Sequence, residues 1–272
     1  MRSVGPDVVC LQEINYLRST ADLEAMLTAV LGDEDEPWRV VKTRDNVIAS
    51  RFPLIREGYE MDPPPLPANL QQAAALVDLP NEVYGSTDVY VLCSHFKASG
   101  GTTNILQRQQ QADVIMAHMR DAITPGDLLD LPVNTPYLLI GDYNIYDTDP
   151  ANHLWTLLRG EIYNDGRFGP DFQPDWDGTS MGDARPSHIG LGEDFYTWRN
   201  DASGFNPGAY DRILYTDSVL FAENAFILNT TLLDDAVLAA YGLEYADVLL
   251  DGQPGIFDHL PVVVDFILIP AP

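Results

Sequence analysis

The sequence predicts a single α/β domain spanning residues 1–272. Apolar runs of strand length alternate along the chain with segments of helical spacing, so strands and helices interleave and do not fall into separate blocks. With 272 residues and 46% hydrophobic content, the chain can bury a sizeable core, and layered domains of this size are commonly undivided. No internal repeat breaks the pattern, and no apolar stretch approaches the ~20 residues of a membrane span.

Taken in order, residues 6–13 (PDVVCLQE) form an apolar strand that ends in the acid Glu13. Residues 19–31 place Leu23, Met26, Leu27, Val30 and Leu31 at helical spacing, with Ser19 or Thr20 as the cap. A Pro-rich loop follows at 61–67. Residues 89–97 (VYVLCSHFK) are a second buried strand, which delivers His95 and then Lys97. Residues 104–123 repeat the helical logic with Ile105, Ile115, Met116 and Met119. The strand at 137–140 runs into Gly141-Asp142-Tyr143-Asn144. In an extended segment Asp142 and Asn144 share a face, although both residues also end strands by favouring turns. A long loop at 159–195 has the length of a substrate-access element. Near the end, Asp258 and His259 open a last apolar strand.

Four strand ends thus offer Glu, His, Asp/Asn and Asp/His. That inventory suits a divalent cation and attack on a phosphoester, because hard cations select carboxylate oxygen and phosphoryl transfer needs positioned acids and imidazoles. His118 falls within the helix at 104–123 and reads as a solvated or packed residue. His153 and His188 read as surface histidines in loops.

The ordered motifs LQE, SHFK, GDYN, YDRIL and FDHLPV resemble those of the endonuclease/exonuclease/phosphatase superfamily. Residues 46–53 are similar to that family's "ILSRxP" strand, and Arg108, Gln111 and Ala112 to its "RxxQA" helix. The resemblance implies a four-layer α/β/β/α sandwich of two packed mixed β-sheets, deoxyribonuclease I-like, with the site at one end. It also implies Mg²⁺ or Mn²⁺, or Ca²⁺, as cofactor. Glu13 would be the direct ligand, with Asp258 on the metal side and Asn144 touching both metal and phosphate. Asp142 would orient or deprotonate the attacking water, and His259 would contact the phosphoryl group or act as base. Asp211 would fix the tautomer of His259, although Arg212 stands where the family often has an aromatic, and a salt bridge between Asp211 and Arg212 is the competing reading. His95 would protonate the leaving oxygen or hold a phosphate oxygen, with Lys97 adding positive charge. Either Asp45 or Asn46 occupies the neighbourhood of the acid that pairs with the first histidine, and the sequence does not choose between them.

One departure stands out. The family's opening strand, which carries an asparagine, has no counterpart before residue 6, so the sandwich is expected to lack a strand and expose an edge. A catalytically impaired binding module is therefore the alternative to an enzyme.

A net charge of -26 with only 15 Lys and Arg, two of them lysines, opposes a processive grip on long nucleic acid, which needs a basic stripe. The expected substrate is a phosphoester: a small phosphodiester, nucleic acid or a phospholipid headgroup as in sphingomyelinases. No obligate protein partner is inferred. Nothing at the N-terminus reads as a signal peptide, although the acidic composition favours a secreted or periplasmic setting. If Cys10 and Cys93 lie on neighbouring strands, as the family implies, a disulfide between them is conceivable, but adjacent strands rarely offer the geometry.

Overall fold

The computed structural model describes residues 3–15, 17–32, 37–55, 72–126, 129–145, 153–189, 194–200, 206–245 and 258–269. The Pro-rich loop at 61–67 and part of the long loop at 159–195 lie outside them. Eleven strands and six helices are described. They are β1 (Val8–Leu11), α1 (Thr20–Leu31), β2 (Arg39–Thr43), β3 (Asn46–Ser50), β4 (Leu54–Ile55), β5 (Ala73–Val77), α2 (Asn81–Tyr84), β6 (Val89–His95) and α3 (Thr102–Ile123), then β7 (Tyr137–Asp142), α4 (His153–Arg159), α5 (Asp165–Phe168), β8 (Gly182–Ala184), β9 (Asp211–Tyr215), β10 (Leu220–Ile227), α6 (Asp235–Tyr241) and β11 (Val262–Leu268).

One sheet has six strands in the order β4-β5-β6-β7-β9-β8. Only β6 and β7 run parallel; the other pairs are antiparallel. Facing it are an antiparallel sheet β1-β3-β2 and an antiparallel pair β10-β11. Alternation of side chains gives the six-stranded sheet two apolar faces. Tyr90, Leu92, Tyr137 and Leu139 pack outward against Ile115, Met116 and Met119 of α3. Ala73, Ala75, Val91, Cys93 and Ile213 point inward, where they meet Ile48 of β3, Cys10 of β1 and Val262, Val264 and Phe266 of β11. On the far side of β3, Val47 and Ala49 bury Leu23 and Leu27 of α1. The result is the expected four-layer α/β/β/α sandwich. Burial of side chains of this size is worth roughly 1.5–3 kcal/mol each, so the two sheet faces dominate the stability.

Among the described residues, β1 pairs only with β3 and β11 only with β10, so the second sheet layer is in two pieces. Cys10 and Cys93 sit on facing sheets and not on adjacent strands of one sheet, and both are free thiols. Cys93 Sγ donates to the Leu11 carbonyl at 3.7 Å, and the neighbouring Cys93 thiol, with burial, holds Cys10 well above the usual thiol range. No described helix is long and apolar enough to cross a membrane.

Local chemistry explains where the elements stop. Ser19 caps α1 in a reciprocal capping box with Asp22. Gly141 has a packing role: a Cβ there would lie 2.0 Å from the carbonyl oxygen of Ser94 on the parallel neighbour β6. Only glycine lets the two strands close up where they deliver His95 and Asp142.

Candidate active site

Sheet register builds the site. His95 is paired with Asp142 across β6 and β7, and Asp142 with Asp211 across β7 and β9. Three adjacent strands therefore end in a row of His, Asp and Asp, spaced by the ~4.8 Å between neighbouring strands. Two further groups arrive from the facing layer. Glu13 follows β1 with a left-handed backbone, φ 58°, and Ile14 is tied to the turn between β2 and β3 by its N–H donating to the Asp45 carbonyl at 3.0 Å. His259 precedes β11.

The contacts converge on Asp142, which is buried. His95 Nε2 lies 3.7 Å and His259 Nε2 3.8 Å from Asp142 Oδ2, and Glu13 Oε1 lies 3.8 Å from His95 Nε2. These contacts are longer than hydrogen bonds. His259 Nδ1 and Asp211 Oδ2, in contrast, are hydrogen-bonded at 2.7 Å. Arg212 does not compete for Asp211: it is buried and pairs with Asp183 at 2.9 Å. Asp211 is thus the partner of His259, as the resemblance implies. Between Asp45 and Asn46 the structure selects the acid, with Asp45 Oδ2 lying 3.7 Å from His95 Nδ1.

Asp142 and Asn144 meet, though not through strand periodicity. The strand ends at Asp142, and Asn144 takes a left-handed conformation, φ 47°. Its backbone N–H donates to Asp142 Oδ1 and its amide to Asp142 Oδ2, both at 2.9 Å. The turn-forming preference of Asp and Asn is what brings them together. The amide of Asn144 donates a second bond to the Phe96 carbonyl, so one of its hydrogens holds Asp142 and the other holds the loop after β6. Lys97 stays out of the cluster, its ammonium donating to the Ala98 carbonyl at 3.3 Å. Helix α3 fastens the loop after β6: Gln111 donates to the His95 carbonyl and accepts from the Lys97 N–H, while buried Arg108 donates to the carbonyls of Lys97 and Ser99.

Burial raises Asp142, and the charge of Asp211 adds to it, while His259, His95 and the Asn144 N–H pull the other way; the balance is a pKa of about 6. For His259 burial works downward, but the hydrogen bond and charge of Asp211, then the charges of Asp142 and Asp258, overcome it and lift the ring to about 9. Between those values the site holds a carboxylate beside an imidazolium, a pair of opposite protonation states suited to acid-base work on one substrate.

The sequence offered no sign of Thr197 and Trp198. Trp198 Nε1 donates to Asp258 Oδ2 at 3.0 Å, and Thr197 Oγ1 accepts from the N–H groups of Tyr210 and Asp211. The remaining histidines are structural. His118 is packed against Tyr90, its pKa pushed down by burial to about 4. His153 and His188 are not at the surface: both are buried, bonded to Gln109 and to the Tyr196 carbonyl respectively.

The profile of the endonuclease/exonuclease/phosphatase family matches residues 1–225. The chain belongs to this family. The family is one of endonucleases, exonucleases and phosphatases. The matched region stops before His259, whose place in the site rests on geometry. No curated protein sequence matches. Solved structures with the same fold include an endonuclease/exonuclease/phosphatase from Bacteroides vulgatus, 15% identical with TM-score 0.57, covering 97% of this chain and 85% of that one. Another, from Beutenbergia cavernae, is 18% identical with TM-score 0.54, covering 98% of this chain. The present chain spans 64% of the Beutenbergia protein. A third is D. rerio TDP2 complexed with a single-strand DNA product, 15% identical with TM-score 0.53, covering 96% of this chain and 86% of that one. At these identities the likeness concerns the fold.

Proposed function

We propose that the chain is a divalent-metal-dependent phosphodiesterase or nuclease that hydrolyses its substrate by direct attack of water. The observation that carries this reading is the rim of His95, Asp142 and Asp211 on three neighbouring strands, with His259 joined to it through Asp211. Asp142, ionised above about pH 6, orients and deprotonates the attacking water. His259, held as a cation by Asp211, binds a phosphoryl oxygen, and this role fits a ring titrating near 9 better than that of a base. His95, backed by Asp45, faces the leaving oxygen.

A metal ion fits the donors present. Glu13 has an exposed side chain, 77% accessible, 3.8 Å from His95 at the mouth of the cluster, and would be the direct ligand. Among the described residues no group of three or more His, Cys, Asp and Glu is placed to hold a metal ion by itself. Mg²⁺ or Mn²⁺ does not need one, since such ions keep several waters and take one or two carboxylates plus substrate phosphate. When bound, the metal would polarise the phosphoryl group and stabilise the leaving oxygen.

For the substrate, the net charge of -26 favours a small or short phosphodiester over long duplex DNA, because long-range repulsion grows with the number of phosphates. The TDP2 neighbour, solved with a single-strand DNA product, keeps short nucleic acid among the candidates. Hydrolysis of bis-p-nitrophenyl phosphate with Mg²⁺ or Mn²⁺ is the direct test. EDTA and Glu13→Gln should each abolish it; turnover that survives both would refute the reading. Plasmid nicking beside a sphingomyelin assay separates the substrate classes. An absence of any millimolar Mg²⁺ site by calorimetry would favour a binding module instead.

A further inference from the structure

We propose that Trp198 is a positioning residue of this site, holding Asp258 so that His259 keeps its ring against Asp211 and Asp142. The two halves of the His259–Asp211 pair come from opposite layers of the sandwich, 48 residues apart in sequence. Thr197 and Trp198 splice them together. On one side, Thr197 Oγ1 accepts from the N–H groups of Tyr210 and Asp211 at 3.0 Å each, and Trp198 exchanges backbone hydrogen bonds with Gly208. On the other, Leu260 N–H donates to the Thr197 carbonyl at 2.8 Å, and Trp198 bridges His259 in antiparallel register.

The indole does what the backbone cannot. Its face stacks on Tyr210, with ring centroids 5.5 Å apart and planes at 27°, which anchors it to the Asp211 strand. Its N–H reaches Asp258 Oδ2 at 3.0 Å. With Asp258 tied to the indole and the His259 backbone bridged to Trp198, the short segment that carries the His259 ring is held on both sides beside Asp211. Tryptophan combines the flat apolar plate with a donor, and phenylalanine would supply only the plate. On this account Asp258 serves through Trp198 and His259, and the cation ligand is Glu13.

The kinetic arm of the test rests on the phosphodiesterase reading above; the spectroscopic arm does not. In the intact chain, the Nδ1 proton of His259, shared with Asp211, should give a downfield, slowly exchanging NMR resonance at neutral pH. Trp198→Phe should weaken or erase it. The same variant should lower kcat on bis-p-nitrophenyl phosphate by about ten- to a hundredfold, as expected for a misplaced catalytic group, with KM and Mg²⁺ affinity by calorimetry unchanged. Asp258→Ala should cause a similar loss, and the double variant should be no worse than the poorer single one. An unchanged resonance in Trp198→Phe, or losses that simply multiply in the double variant, would overturn the proposal. So would an Mg²⁺ affinity that falls in Asp258→Ala alone, which would make Asp258 a cation ligand. If Trp198→Phe does not fold, Asp258→Ala carries the spectroscopic test from the acceptor side. If the wild-type chain turns over no phosphodiester, the proposed function falls while the resonance still decides the role of Trp198.

Discussion

Asp211→Asn isolates the electrostatic centre of the site. The His259 ring rises from 6.5 to about 9 in the folded chain, worth about 3.4 kcal/mol in favour of the imidazolium at 1.36 kcal/mol per tenfold change in proton affinity. Two reductions apply. The ring is 32% accessible, so solvent screens part of the interaction, and the charges of Asp142 and Asp258 remain in the variant. Roughly half, about 1.5–2 kcal/mol, is therefore assigned to Asp211. The sign follows from the direction of the shift. A histidine whose folded pKa is raised contributes stability that is fully present below its unfolded value of 6.5 and is lost as pH climbs through about 9. In metal-free buffer, urea unfolding at pH 6 should show Asp211→Asn less stable by about 1.5–2 kcal/mol, and the difference should shrink above pH 9 to that of a neutral hydrogen bond, about 1 kcal/mol or less. Histidine NMR titration should show the His259 midpoint moving down by at least about one unit. An equal stability difference at pH 6 and pH 9.5, with an unmoved midpoint, would show that Asp211 acts through packing and not through the imidazolium.

Gly141→Ala should destabilise the fold by about 3 kcal/mol or more, because the new Cβ would sit 2.0 Å from the Ser94 carbonyl oxygen; chemical denaturation measures it, and activity should fall with it as His95 and Asp142 lose register. Arg212→Ala removes the guanidinium 2.9 Å from the largely buried Asp183 carboxylate and should cost about 3 kcal/mol by chemical denaturation; an unchanged midpoint would show the pair to be dispensable. Cleavage of a polynucleotide should become faster as salt rises from 10 to about 150 mM, the reverse of a basic nuclease, since screening within about 8 Å relieves repulsion from an acidic surface. Hydrolysis of a small diester should change little over the same range.

Much of the site was legible because its residues end strands. An apolar run that stops at a carboxylate or imidazole marks a rim, and β1, β6 and β7 each do so with Glu13, His95 and Asp142. What could not be read was pairing between distant segments. His153 looked like a surface residue because nothing in its neighbourhood announces Gln109, 44 positions away. The Ala-rich strand β5 has Val77 as its one β-branched residue, a weak strand signal, yet it is buried throughout. The choice of Asp45 over Asn46 turned on one residue at a tight turn, finer than motif matching by eye resolves. Trp198 carries no periodic signal, and its role appears only once β9 and the segment before β11 are brought together.

The site has two kinds of support, and they bear on how the fold tolerates divergence. His95, Asp142 and Asp211 are placed by backbone pairing between neighbouring strands, which any side chains able to fill the two sheet faces can sustain. That kind of placement is compatible with relatives that share the fold at 15–18% identity. His259 has no such backing in the six-stranded sheet. Its segment precedes β11, whose sole described partner is β10, and it is tied to the rim by the Asp211 bond and by Thr197 and Trp198. A group held by a few hydrogen bonds opens locally at less cost than one held by a sheet core. The imidazolium end of the site is therefore its weaker joint, and substitutions that spare the core but loosen residues 194–200 should uncouple folding from catalysis.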